Sequence, residues 1–183
     1  MSNNEPPTIP QSEYVRRWSA IQGLMHEKDI DFVLTYSDDR ATAGAAHARY
    51  LTGFPPHFEP VLVLLPSEGE PTLLCGPESE EYARLLGRVN ETRVLREFTH
   101  PDEDYPYAKI QGFGEVVGDL TEGSQIGRIG VGGLSMIPAS ILDSLKRSMP
   151  KAEWVDMEAD LCGIRAVKSP SELAVIKLPT EWL

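Results

Sequence analysis

LCGIRAVKSPSELAVIK, residues Leu161 to Lys177, carries the clearest structural signal in the 183-residue chain. Ser169, Pro170 and Glu172 are three separate marks of a helix start. They supply an N-cap hydroxyl, a proline suited to the first helical position and a glutamate that completes a capping box. Pro179 interrupts the apolar pattern one turn later. The stretch therefore predicts a helix that begins where one domain ends.

Two motifs in the chain resemble one known family. Ile164-Arg165 followed by Lys168-Ser169-Pro170-Ser171-Glu172-Leu173 is similar to the interdomain junction of the creatinase, prolidase and aminopeptidase P family. Arg49-Tyr50-Leu51-Thr52-Gly53-Phe54 is similar to an R-Y-L-[ST]-G-[FW] segment of that family. The family-motif residues are Arg49, Tyr50, Gly53, Arg165, Lys168, Ser169 and Glu172.

The resemblance implies a two-domain protein of which this chain is the N-terminal part. Family members join an N-terminal α/β domain to a C-terminal "pita-bread" catalytic domain, which is expected to hold two divalent metal ions with two Asp, one His and two Glu. Those ligands would follow Lys177, so we assign no catalytic residue, metal ligand or cofactor to this chain. We expect a disordered arm at 1–11, the α/β domain at 12–163, and the junction with a truncated linker helix at 164–183.

The order of apolar segments predicts an α/β fold. Helices are expected after Ser12 (with Val15, Trp18, Ile21 and Met25 as its apolar face), at 78–88, at 110–120 and from Pro138. Strands are expected at 32–36, 61–65, 72–75, 92–98, 125–131 and 153–155. The prediction is a mixed sheet with helices on both faces and one antiparallel hairpin. The resemblance implies the same architecture, described as ribonuclease-H-like.

Composition narrows the classes of partner. A net charge of −11 argues against nucleic acid, which requires clustered Lys and Arg. No apolar run has the length of a membrane span, and the N-terminus lacks a basic and apolar signal pattern, so we expect a cytoplasmic protein without a membrane partner. Cys75 and Cys162 are predicted to be buried free thiols.

Local motifs for chemistry are weak. His47 and His57 flank the Tyr-Leu-Thr-Gly segment, and a loop contains His100, Asp102 and Asp104, but none has the spacing of a metal site. There is no G-x-S-x-G nucleophile motif. The glycines of 127–133 suggest a nucleotide-binding turn, yet no helix follows them directly. A tight strand-to-helix turn is the favoured interpretation.

The segment Phe54-Pro55-Pro56-His57-Phe58-Glu59 is the candidate substrate-access surface, with Phe54, His57, Phe58 and Glu59 as its functional residues. In several family members the N-terminal domain of one subunit reaches towards the partner's active site. We therefore hypothesise that His57 and Phe58 line a substrate entrance. The alternative, which we favour, places Phe54 and Phe58 in the core and His57 at the surface.

The resemblance thus implies a non-catalytic N-terminal domain that pairs subunits in a homodimer and shapes access to a metal centre on its own catalytic domain. The resemblance suggests an Xaa-Pro peptidase as the full-length protein, with a creatinase-type amidinohydrolase as the alternative. From other classes, the chain would be a standalone binding or oligomerisation module, or a small nucleotide-binding protein.

Overall fold

The computed structural model describes residues 7–40, 44 and 46–177. Over these residues one sheet of seven strands is covered by helices on both faces, which confirms the predicted fold class. The strands are β1 (Phe32–Ser37), β2 (Val61–Pro66), β3 (Thr72–Cys75), β4 (Glu91–Leu95), β5 (Ile110–Gln111), β6 (Arg128–Gly132) and β7 (Glu153–Asp156). The helices are α1 (Gln11–Lys28), α2 (Ala46–Thr52), α3 (Glu80–Leu86), α4 (Phe113–Leu120), α5 (Ala139–Ser148), α6 (Glu158–Ala166) and α7 (Pro170–Lys177).

Parts of three predictions lie outside the described residues. These are the disordered arm as far as residue 6, part of the loop predicted between β1 and α2, and the interruption at Pro179.

The sheet has the order β5-β4-β3-β2-β1-β6-β7. β2 pairs antiparallel with both β1 and β3, and the β2–β3 pair is the predicted hairpin. The remaining pairs are parallel. Strands β1 and β6 are parallel neighbours inside the sheet, so their carboxyl ends lie side by side.

Alternation along β1 and β2 divides the core into two layers. Val33, Val61 and Val63 face the layer formed with α1, α2 and α6, whereas Leu34 and Leu62 face the layer formed with α4 and α5. Both strands are buried along nearly their whole length because helices cover both sides of them.

Helix α1 is rotated relative to the prediction. Trp18, Ile21 and Met25 are buried as predicted, but Val15 is 46% exposed, and Tyr14 and Arg17 are buried instead. The Trp18 indole N–H donates a 2.7 Å hydrogen bond to the Leu51 carbonyl, which fixes this side of the helix against α2. Helix α1 begins at Gln11, and its N-cap position is Pro10 rather than Ser12.

Helix α3 is shorter than predicted and presents its apolar side to solvent. Tyr82, Leu85 and Leu86 are 45%, 79% and 38% exposed, although their spacing suggested a buried face. Ala83 is the buried residue of the helix. Since α3 has only seven residues and contacts β3 and β4 near one side of the sheet, a small side chain suffices for its packing.

Other elements also differ from the prediction, among them the strand predicted at 125–131, which begins only at Arg128. The predicted strand 92–98 ends at Leu95, and a 3₁₀ turn occupies Arg96–Phe98. Ile110 belongs to the short strand β5, so helix α4 starts only at Phe113. Helix α6 was not predicted at all, although an Asp156 carboxylate oxygen accepts a 2.9 Å bond from the Glu158 N–H at its start.

Candidate functional site

The surface loop that follows the Arg49–Phe54 motif is held at its tip by one carboxylate. Asp39 Oδ2 accepts a 3.1 Å hydrogen bond from the Phe58 N–H and lies 3.2 Å from His57 Nδ1. The Phe58 N–H lowers the pKa of Asp39 against the opposing effect of burial, and the backbone N–H of Asp39 and then His57 lower it further. Phe58 has a φ of +74°, a left-handed conformation that is uncommon outside glycine. The loop therefore displays His57 and Phe58, which are 79% and 74% exposed, in a fixed arrangement.

The other two candidate access residues lie elsewhere. Phe54 is fully buried and meets the Tyr82 ring edge-on, with 5.5 Å between the ring centroids. Glu59 turns towards α3, where its Oε2 accepts a 2.8 Å bond from the Ser79 N–H. The prediction that both Phe54 and Phe58 belong to the core is thus correct for Phe54 and wrong for Phe58. His57 and Phe58 are therefore the two candidate access residues that are largely exposed.

The Arg49–Phe54 motif forms the end of α2 and its exit turn. Arg49 is exposed, whereas Tyr50 is buried against α1. Gly53 has a φ of +71°, and its N–H donates a 3.0 Å bond to the Arg49 carbonyl, as in a left-handed helix end. A β-carbon at Gly53 would lie 2.7 Å from the Tyr14 hydroxyl oxygen, so a side chain here is disfavoured by space as well as by conformation.

The junction has the predicted capping box. The Ser169 N–H donates to Glu172 Oε2 at 2.8 Å, and the Glu172 N–H donates to Ser169 Oγ at 3.2 Å. Lys168 Nζ donates to the Arg165 carbonyl, and the Arg165 side chain lies near the end of α6. The cap predicted from sequence is therefore confirmed.

The two family motifs meet at a residue that the sequence analysis missed. Arg17 of α1 donates to the Tyr50 carbonyl at 2.8 Å and to Glu172 Oε1 at 3.0 Å. The helical period of the sequence did contain a signal, because Arg17 shares the face of Tyr14, Trp18 and Ile21. A buried arginine within an apolar stripe requires a partner.

A second polar cluster lies at the carboxyl ends of the central parallel strands. Glu158 Oε2 accepts a 2.6 Å bond from the Gly133 N–H and lies 3.0 Å from His47 Nε2, while Glu158 Oε1 lies 3.3 Å from Cys162 Sγ. Burial lowers the pKa of His47 despite the nearby Glu158 carboxylate. Burial alone would raise the pKa of Glu158, but the Gly133 N–H, His47 and Cys162 together lower it. At neutral pH the pair is a neutral imidazole and a carboxylate.

The glycine-rich turn after β6 is a packing turn, as favoured from the sequence. A β-carbon at Gly130 would lie 2.2 Å from Met157 Sδ, and one at Gly132 would lie 2.4 Å from Leu161 Cδ1. Gly133 has a φ of +77°, and its N–H is already bonded to Glu158. The Gly133 N–H is therefore bonded to a side chain of the protein itself and is not directed at a bound phosphate.

The remaining candidates for chemistry are separated from one another. The loop of His100, Asp102 and Asp104 is exposed, and its Glu103 carboxylate accepts a 3.0 Å bond from the Tyr105 hydroxyl. In the described part of the chain, no group of three or more His, Cys, Asp or Glu side chains is placed to hold a metal ion. No helix within the described ranges has both the length and the apolar character of a membrane span.

Both cysteines are free, as predicted, but only Cys75 is buried. Cys162 is exposed because it lies on the outer side of α6, and the prediction of burial is wrong for this residue. The pKa of the Cys162 thiol is raised by its hydrogen bond to Glu158. A raised thiol pKa argues against a reactive thiolate at this position.

Comparison with protein-family models identifies a family that matches most of the chain. The family model described as "Creatinase/Prolidase N-terminal domain" matches residues 17–167. Comparison with curated protein sequences gave no match.

Solved structures of similar fold include three bacterial and archaeal proteins. A proline dipeptidase from Streptococcus pneumoniae is 17% identical, with a TM-score of 0.60 and coverage of 82% of this chain and 98% of that chain. The prolidase from Pyrococcus horikoshii is 17% identical, with a TM-score of 0.63 and coverage of 88% of this chain and 38% of that chain. The creatinase/prolidase N-terminal domain of an X-Pro dipeptidase from Streptococcus pyogenes is 12% identical, with a TM-score of 0.57 and coverage of 82% and 98%. The chain thus spans well under half of the Pyrococcus prolidase.

Proposed function

Because the chain belongs to the creatinase/prolidase N-terminal domain family, we propose that it is a non-catalytic domain that pairs subunits and shapes substrate access to a metal centre. The metal centre would lie on a following catalytic domain that holds two divalent ions. The whole protein would be a metal-dependent Xaa-Pro peptidase acting as a homodimer. The observation that carries the proposal is the match of the family model to residues 17–167.

The displayed pair His57 and Phe58 supports the part of the proposal that concerns substrate access. A left-handed aromatic residue costs about 1–2 kcal/mol relative to an ordinary conformation. Strained residues that persist on a surface are often functional. Here Asp39 holds the strained residue through its N–H, so the loop presents an aromatic ring and an imidazole without having to order itself on binding.

The access proposal predicts a change in substrate selectivity. In the polypeptide that includes the catalytic domain, H57A/F58A should change the ratio of kcat/KM between two Xaa-Pro dipeptides by about tenfold, the scale of an apolar pocket contact. L85A is a matched control, because Leu85 is an equally exposed apolar residue on α3. Unchanged selectivity in H57A/F58A would rule out the access role while leaving the family membership intact.

A standalone binding module is the alternative from a different class. One similar solved structure, the Streptococcus pneumoniae proline dipeptidase, is covered over 98% of its chain by this domain-sized fold. The coding sequence after the Lys177 codon distinguishes the two proposals. The peptidase proposal requires the two Asp, one His and two Glu ligands there, and the module proposal does not.

A further inference from the structure

Arg17 lies at the meeting point of three helices. Its side chain is 5% exposed, and its guanidinium carbon lies 4.9 Å from the centre of the Tyr14 ring and 4.4 Å from the centre of the Tyr50 ring. An arginine between two aromatic faces is attracted by both rings and cannot change its direction without leaving them. The two rings therefore orient the guanidinium independently of its contact with Glu172 at the junction.

The hydrogen bonds of Arg17 go to three different helices. Nε donates to Glu13 Oε1 of α1 at 3.2 Å, Nη1 to the Tyr50 carbonyl of α2 at 2.8 Å, and Nη2 to Glu172 Oε1 of α7 at 3.0 Å. The planar fork of a guanidinium makes such a three-way contact possible, and a lysine ammonium would not reproduce its geometry.

Glu172 contributes to two structures at once. One of its oxygens binds Arg17, while the other accepts the Ser169 N–H and so caps α7. Ser169 is itself buried, and its hydroxyl oxygen accepts a 3.2 Å hydrogen bond from the Glu172 N–H. The first turn of α7 is consequently tied to α1 through the bond between Glu172 and Arg17, which also pairs with Glu13.

The rest of α7 has little apolar attachment to the domain. No residue of the described helix Pro170–Lys177 is buried, and Leu173 and Ile176 are 41% and 53% exposed. A helix of eight residues is marginal in water on its own. The polar contacts at its first turn therefore tie the start of α7 to the domain.

We infer that Arg17 is a positioning residue that fixes the direction in which α7 leaves the domain, through the α7 anchor formed by Glu13, Arg17, Tyr50, Ser169 and Glu172. Docking of α7 by this anchor stands on the described contacts alone. The further consequence, that the anchor sets the orientation of a following catalytic domain, rests on the proposed function.

Hydrogen–deuterium exchange of the 183-residue chain tests the anchor. Amides 171–177 report on α7, and the amides of Phe32–Ser37 in β1 report on the folded core. R17M and E172Q should each raise the exchange rate of the α7 amides by about tenfold or more, because each removes a charged hydrogen bond. In E172Q the β1 amides should keep their wild-type protection.

R16M is the matched control. Arg16 is the neighbouring arginine of α1 and also pairs with Glu13, but it is 47% exposed and makes no bond to Glu172. Its α7 amides should exchange at the wild-type rate. If the β1 amides of R17M also lose protection, that substitution has destabilised the whole fold. The exchange of the α7 amides in E172Q is then the test of the anchor.

Two results would overturn the inference. One is wild-type exchange of α7 in E172Q; the other is exchange of α7 at free-peptide rates in the wild-type chain. Neither result bears on whether a longer protein hydrolyses peptides, so the anchor and the proposed function fail independently.

Discussion

Replacing Gly53 by alanine should lower the free energy of unfolding by about 3 kcal/mol. The left-handed backbone at φ +71° costs an alanine about 1–2 kcal/mol. Its β-carbon would also lie 2.7 Å from the Tyr14 hydroxyl oxygen and 3.0 Å from Arg88 Cγ, and forcing such overlaps in a packed site costs about 1–3 kcal/mol. Because the Tyr14 ring supports Arg17, the same substitution should also weaken the α7 anchor. Urea unfolding followed by circular dichroism measures the effect.

Gly123 provides a control with the same backbone conformation and no neighbours. Its φ is +78°, and a β-carbon there would have no atom within 4 Å. G123A should therefore cost only the conformational part, about 1 kcal/mol. Equal losses in G53A and G123A would show that contact with Tyr14 and Arg88 plays no part.

Acidification from pH 7.5 to 5 should destabilise the chain through His47. Burial lowers the pKa of His47 from its ordinary value of 6.5, so the unfolded chain takes up a proton before the folded chain does. The free energy of unfolding should start to fall as the pH drops below about 6.5, with a slope of at most about 1.4 kcal/mol per pH unit from this one group. The lowered pKa of Glu158 extends the loss into the range below its ordinary 4.5.

The variant H47Q isolates this contribution. Glutamine keeps a donor for Glu158 but takes up no proton, so the unfolding free energy should become flatter between pH 6.5 and 5. H57Q serves as the comparison, because it removes an imidazole that is 79% exposed. Equal slopes in wild type, H47Q and H57Q would contradict a role for the buried histidine. The charged groups around His47 are Glu158 and, at longer range, Arg165.

The sequence predicted those features that depend on local pattern. The hairpin of β2 and β3 follows from two apolar runs around a Gly69 turn, and the capping box of Ser169 and Glu172 follows from residue type and spacing alone. Two motifs more than a hundred residues apart also predicted the family, which the match over residues 17–167 shows.

Features that depend on tertiary contact could not be predicted in this way. Glu158 and His47 are 111 residues apart in sequence, and no local pattern pairs them. Val15 and Trp18 are both apolar and three residues apart, but only Trp18 has a side-chain donor. Its indole N–H donates a hydrogen bond to the Leu51 carbonyl. Rotation of α1 towards this bond exposes Val15 and buries Arg17.

The candidate site was predicted only in part. Sequence identified the loop from Phe54 to Glu59, but it did not show that Asp39 holds Phe58 or that Glu59 turns towards α3. Both contacts join residues that are distant from each other in the sequence, so no local pattern reveals them. Phe54 and Phe58 are equally apolar, so residue type cannot tell that Phe54 is buried and Phe58 is exposed. The left-handed backbone at Phe58 is a feature of the structure that distinguishes the two.

An assay for hydrolysis of an Xaa-Pro dipeptide by the purified 183-residue chain tests most directly the proposal that this chain is a non-catalytic domain. The chain is incubated with Mn²⁺, Co²⁺ or Zn²⁺ and the dipeptide, and release of free proline is followed against metal-only and chelator-treated samples. The proposed function places the metal pair that would activate water and polarise the peptide carbonyl on a following catalytic domain. We predict no proline release above the metal-only sample. Release that scales with protein concentration and disappears with chelator would contradict a non-catalytic domain.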